Sequence, residues 1–213
     1  MAPDTPPPPP AHPSTLPHLK PYEHYLRTVR TTCSTPAGRA ALRQGLAEQL
    51  ASPWQLYMHL LPAGGFPEAA GSFPGVPETR AAEYPYLLIA ALYAVHDAPN
   101  PRTSTQRTAV PARPVDGRRN LGWSYARAAA IGAMRPETAA SNLSYVAQLD
   151  LDGLYRDLPA AVSLLRSQQV PVQWPVLLRD LTRWPRWAED VRIEWARAFY
   201  TPTTTPAIEE ISQ

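Results

Sequence analysis

Val170-Pro-Val-Gln-Trp174-Pro-Val-Leu-Leu-Arg-Asp180-Leu-Thr-Arg-Trp184, followed after a short gap by Val191-Arg-Ile-Glu-Trp195-Ala-Arg-Ala-Phe-Tyr200, is the stretch that decides the fold. Apolar residues recur at Trp174, Leu177, Leu178, Leu181 and Trp184, the three-and-four spacing of one helix face. Pro175 falls in the first turn, where its missing N–H is harmless. Val191, Trp195, Ala198 and Phe199 repeat the pattern. It predicts two adjacent short helices, 174–184 and 187–200, with three tryptophan rings buried in the pair. Arg179, Arg183, Arg192 and Arg197 fall mostly off the apolar stripes.

The same periodicity runs upstream. Residues 19–32 put Tyr22, Tyr25, Leu26 and Val29 on one face and Arg27 and Arg30 on another. Thr35-Pro36 reads as an N-cap and first helical position; the inner face that follows would be Ala40, Leu42, Leu46 and Leu50, with Arg39 and Arg43 aligned four apart. Ser52-Pro53 opens a third helix carrying Trp54, Tyr57, Met58 and Leu61. Residues 62–77, rich in glycine and proline, read as a loop. Residues 79–97 are the most apolar segment and read as the central core helix. Residues 98–119 form a second irregular segment with Arg102, Arg107, Arg113, Arg118 and Arg119 against only Asp116, and a long basic loop inside a helical protein is often functional.

Beyond it, 121–134, 136–149 and 152–168 read as helices, with N-terminal signals from Pro136-Glu137 and from Asp150 with Asp152. Pro159 should kink or restart the last of these. Alternating β patterns and internal repeats are absent. The expected fold is all-α: about eight helices, in an N-terminal lobe over 19–119 that ends in the basic loop 98–119, and a C-terminal bundle over 120–200. Tails at 1–18 and 201–213 are expected to be disordered. Pro3, Pro6 to Pro10, Pro13 and Pro17 give the first tail polyproline-II character; it reads as a solubilising tail or an SH3-type ligand.

Composition narrows the function. The whole chain has a formal charge of +2. Over residues 11–200 there are 20 basic residues against 15 acidic ones, a net of +5, and all but Lys20 of the basic residues are arginine. Arginine forks bind phosphate bidentately and stack on bases, so a local basic face is expected, short of a polycation. Cys33 is the sole cysteine, which excludes an internal disulfide and a cysteine-based zinc site. No apolar run reaches the ~18 residues a membrane span needs, the N-terminus lacks a signal-peptide core, and a cytoplasmic protein is the default.

No phosphate-cradling glycine loop, HExxH or nucleophile elbow is present. His24, His59 and His96 lack carboxylates at metal-ligand spacing; His96 reads as a cation at a helix C-terminus. Asp150, Asp152 and Asp157 read as helix caps, and Cys33 as an unreactive thiol beyond a helix. Neither a metal, a cofactor nor an enzymatic activity is expected. The arginines remain. Arg27 with Arg30, Arg39 with Arg43, the loop group Arg107, Arg113, Arg118 and Arg119, and Arg127 with Arg135 could form a phosphate-binding path. Solvated helices also carry such charge, so a protein–protein adaptor with no nucleic-acid role stays open.

The closing pattern has a further meaning. Val172, Trp174, Leu177 or Leu178, Asp180, Leu181 and Trp184, then Val191, Arg192, Trp195, Ala196, Phe199 and Tyr200, resemble the C-terminal signature of the CasB family, the small subunit of the type I-E CRISPR Cascade complex. Upstream, Ala41-Leu-Arg43-Gln-Gly45-Leu46 is similar to the family's early helix, Leu92-Tyr-Ala-Val-His96 to the end of its central helix, and Asn120-Leu121-Gly122 to a helix start. Together they span roughly residues 20–200.

The resemblance implies a non-catalytic, all-helical subunit, present in two copies beside the backbone and large subunits. It would help hold the crRNA–target DNA heteroduplex and the displaced non-target strand. Such a role suits sequence-blind arginine contacts, because base pairing does the reading. Arg43 and Arg127 carry over onto family motifs. The family's paired arginines in the next helix fall here near Ser141 and Asn142, with Arg135 the nearby basic residue, and Gln173 stands where the family commonly has aspartate.

Overall fold

The computed structural model describes residues 19–47, 54–64, 79–98 and 119–201. Both tails, most of the loop 62–77 and the loop between Ala98 and Arg119 lie outside those residues, and with them Leu50, Arg102, Arg107, Arg113 and Arg118. The described residues form helices α1 (Lys20–Cys33), α2 (Pro36–Ala47), α3 (Trp54–Leu60), α4 (Thr79–His96), α5 (Leu121–Ala130), α6 (Pro136–Gln148), α7 (Leu151–Ser167) and α8 (Trp174–Tyr200), and no strand. The all-α expectation holds.

Local chemistry sets the helix ends. Thr35 Oγ1 accepts from Gly38 N at 3.1 Å, Asn120 Oδ1 from Trp123 N at 3.2 Å and Asp150 Oδ1 from Gly153 N at 2.8 Å; each satisfies a backbone donor that a helix start leaves unpaired. Pro136 opens α6. α5 ends at Gly132, whose φ of 72° suits a residue without Cβ. α7 runs through Pro159 as one helix and does not restart there. Pro159 lacks the N–H of a single backbone bond, and Leu158, Ala161, Val162 and Leu165, all buried, anchor the helix around it.

α8 is one helical run with a break. Pro185 cannot donate to the carbonyl four residues back, and Trp187 leaves helical geometry at φ −131°, ψ 37°. The two arms on either side of this bend are the two short helices of the sequence pattern, and they fold onto each other. Trp174, Trp184 and Trp195 are 4%, 3% and 0% exposed, and the rings of Trp184 and Trp195 sit 5.2 Å apart.

One core runs from Tyr25 on α1 through α4 to Trp195 on α8. α4 is its axis, with Tyr86 through Ala94 buried. Tyr25 donates to the Tyr86 carbonyl at 2.8 Å and meets its ring edge-on; Tyr22 joins Thr182 of α8 at 3.1 Å. The inner face of α2 differs from the sequence pattern. Ala40 is exposed while Ala41 and Leu42 are buried on α2. On α3, Leu56 and Leu60 are buried, whereas Trp54, Met58 and Leu61 are 66%, 54% and 56% exposed. Leu56 owes its place to Gly45 of α2, since a Cβ there would sit 2.4 Å from its methyl.

Candidate nucleic-acid interface

The structure divides the arginines into two groups. The first is built into the framework. Asp180, fully buried, accepts from Arg179 Nε at 2.9 Å and Nη2 at 2.6 Å on one oxygen, and from Trp195 Nε1 at 2.7 Å on the other. Burial pushes its carboxyl up, and the Arg179 charge with the two hydrogen-bonding partners opposes that. Glu194 takes a bidentate fork from Arg183 at 3.0 and 2.9 Å and a longer contact from Arg179 at 3.3 Å. That fork holds the Arg183 guanidinium above its usual range. Arg179 is therefore part of the buried seam, although the periodicity put it off the apolar stripe; the bend at Trp187 brings Glu194 of the second arm to it. Arg192 covers the Trp184 ring at 5.3 Å and donates to the Leu149 carbonyl at 3.2 Å. Arg166 pairs with Asp97, and Arg156 with Asp157.

The second group consists of the arginines singled out as phosphate ligands. Arg27, Arg30, Arg43, Arg127 and Arg135 are exposed, and Arg39 and Arg119 half-buried. None of the seven pairs with a carboxylate among the described residues. Arg107, Arg113 and Arg118 lie outside the described residues.

The fold brings some of the seven together. Arg30 on α1 opposes the burial that pushes the Tyr93 hydroxyl of α4 up, and Arg43 on α2 acts on His96 at the end of α4. Arg39, between them in sequence, faces Cys33 at the end of α1, and its Nε is buried without a hydrogen-bond partner. Arg119 lies over the Trp123 ring at 5.2 Å at the start of α5. Arg127 follows in the last turn of α5 and Arg135 precedes α6; no hydrogen bond or ion pair among the described residues joins these three to the first set. Sequence reasoning missed Arg166, which the fold delivers from α7 to Asp97, 69 positions away, just as it delivers Ser163 to His96, 67 positions away, beyond the reach of any local pattern.

Three readings of single residues change. His96 does close α4, but its surroundings disfavour the cation. Burial first, then Arg166 and Arg43, hold its imidazole below the usual range against the pull of Asp97. Cys33 is the last residue of α1 and fully buried, and burial pushes its thiol up to about 11. Asp150 does cap α7, but Asp157 lies within that helix and instead accepts from the Tyr145 hydroxyl of α6. Among the described residues, no three His, Cys, Asp or Glu side chains could hold a metal ion, and no helix is long and apolar enough to cross a membrane.

The helix start Asn120-Leu121-Gly122 has a packing reason. A Cβ on Gly122 would lie 1.9 Å from the Trp195 carbonyl oxygen, so only glycine lets α5 lie flat on the second arm of α8. Asn120 Nδ2 completes the junction by donating to the Glu194 carbonyl at 3.0 Å.

Comparison with known proteins bears on this arrangement. Residues 38–200 match the family model of the CRISPR-associated protein Cse2. The fold matches a chain of a CRISPR RNA-guided surveillance complex in the pre-nicking state with a TM-score of 0.62 and 31% identity, covering 85% of this chain and 93% of that one. A second surveillance-complex chain matches at TM-score 0.60 and 29% identity, over 85% and 90% of the two chains. M. ruber CasB matches at TM-score 0.60 and 26% identity, over 84% and 92%. No curated protein sequence matches.

Proposed function

The chain belongs to the CRISPR-associated Cse2 family, the CasB family of the sequence resemblance, and from that premise we propose that it is the non-catalytic small subunit of a type I-E Cascade surveillance complex. In this reading it sits in two copies beside the backbone and large subunits. It holds the crRNA–target heteroduplex and the displaced DNA strand through sequence-blind arginine–phosphate contacts.

The observation that carries the reading is the division of the arginines. A guanidinium in an ion pair has spent its charge on the fold. Seven of the ten arginines proposed as ligands are described, and none of the seven is paired with an acid among the described residues. Such a set can exchange counterions for phosphates at little cost to the fold. Unwinding target DNA is a near-balanced strand exchange, so even modest retention of the displaced strand shifts it.

The test is salt dependence. Binding of single-stranded DNA by the full chain, alone and co-purified with the other Cascade subunits, should weaken with salt at a slope of about 0.7 per phosphate contacted. Arg39→Ala with Arg43→Ala should lower the slope equally for different base sequences, whereas Arg156→Ala, which removes an arginine already paired with Asp157, should not. A chain that joins the complex but binds DNA with no salt-dependent contribution from these arginines is a protein–protein adaptor instead.

A further inference from the structure

We propose that Arg119 and Trp123 form a stacking platform for one unpaired nucleobase at the start of α5. The proposal rests on the nucleic-acid reading above and adds a contact to a base, where that reading has only contacts to the backbone.

The outward face of α5 carries the platform. Leu121, Ser124, Tyr125 and Ala128 fill the buried side of the helix. Trp123 lies on the other side and stays half-exposed, whereas Trp174, Trp184 and Trp195 are buried. The Arg119 guanidinium lies over the Trp123 ring at 5.2 Å. Arg127, one turn on from Trp123 along the same face, is exposed. The other outward positions of the helix are the small Ala126 and Ala130.

The backbone under the ring is held from two sides. Asn120 Oδ1 accepts the Trp123 backbone N–H at 3.2 Å, while Asn120 Nδ2 donates to the Glu194 carbonyl of α8 at 3.0 Å. Gly122 lets the same turn lie against the Trp195 carbonyl. The platform is therefore in place before a ligand arrives, which lowers the ordering cost of binding.

Its chemistry selects a base. The indole attracts the guanidinium above it, and a planar guanidinium has a second face on which a nucleobase can stack. No carboxylate among the described residues pairs with Arg119 or Arg127, and α5 contains no acid. Arg127 supplies a donor for a phosphate next to the stacked base. An apolar side chain of a protein partner would have to desolvate a guanidinium to reach this ring, an unfavourable exchange. A single strand brings a π-face and an anion together. Every base has such a face, so the contact stays blind to sequence.

The experiment is fluorescence anisotropy with the full chain and two labelled oligomers of equal length and charge, an oligothymidine and its abasic counterpart, over a range of salt. The wild type should prefer the oligothymidine by about fivefold or more. Trp123→Ala and Arg119→Lys should each bring that ratio towards one. Arg119→Lys keeps the charge but loses the plane, so it should retain the salt slope. Arg127→Ala should weaken both oligomers alike, lower the slope and leave the ratio. Should Trp123→Ala fail to fold, Arg119→Lys decides alone. A wild type without the preference, or a preference unchanged in both variants, overturns the platform and leaves the arginine reading standing. Variants that keep the preference but no longer join the Cascade subunits mark this face as a protein contact and likewise overturn it. Absence of any salt-dependent binding overturns both readings.

Discussion

The Asp180 carboxylate accepts the indole N–H of Trp195 at 2.7 Å across fifteen residues of one helical run. In a straight helix those residues would be about 22 Å apart along the axis, so the bond exists because the chain doubles back at Trp187. It closes the two arms of α8 around the Trp184 and Trp195 rings and keeps the Arg179 charge satisfied.

Removing the acceptor leaves a buried guanidinium with only its longer contact to Glu194, and removing one partner of a buried pair is costly. Asp180→Ala should lower unfolding free energy by about 3–5 kcal/mol. Trp195→Ala, which also empties a ring-sized space, should cost a similar 3–5 kcal/mol. Urea unfolding followed by far-ultraviolet circular dichroism checks both; losses below about 1 kcal/mol would mean the two arms do not depend on this bond.

Gly122→Ala offers a sharper test of the α5–α8 junction. On an exposed helix the change gains about 1 kcal/mol. Here the new methyl would meet the Trp195 carbonyl at 1.9 Å, a backbone atom that cannot swing aside. We expect a net loss of about 1–3 kcal/mol and a lower melting temperature. A rise in melting temperature would contradict the close approach.

These residues also mark how far the sequence could be read. The pairing of the two C-terminal helices was legible because three tryptophans recur at helical spacing around a proline. The helix starts at Thr35 and Asp150 were legible because capping is local chemistry, and the start at Asn120 only through the family resemblance. The inward face of α3 was not: Trp54, Leu56, Tyr57, Met58, Leu60 and Leu61 surround a seven-residue helix, so periodicity selects no side, and Gly45 of a different helix decides. The role of Arg179 was hidden for a related reason, since the acid it shares with Arg183 arrives from beyond the bend. For the site, the sequence could nominate exposed arginines. It could not nominate the pairing of Arg166 with Asp97, which lies 69 residues away on another helix, where no short-range pattern exists.

Cys33 gives a prediction with a clean readout, because it is the sole cysteine. Its thiol is held up at about 11, from an ordinary 9.0, by burial that outweighs the nearby Arg39, and only the thiolate reacts. At about pH 8, the native chain should react with a disulfide reagent far more slowly than the chain in denaturant. Equal rates would show that the end of α1 opens to solvent.

The central claim is that arginines without an acid partner among the described residues, together with the basic segment 98–119 of the sequence, hold nucleic-acid backbone, while paired arginines hold the fold. The most direct measurement is R-loop lifetime on a matched target in the assembled complex, comparing wild type with the combined Arg39→Ala, Arg43→Ala, Arg118→Ala and Arg119→Ala variant. The account predicts intact assembly, unchanged recognition at the seed, and a shorter-lived fully opened R-loop. An unchanged lifetime in an intact complex would contradict it and leave this chain as a spacer between its neighbours.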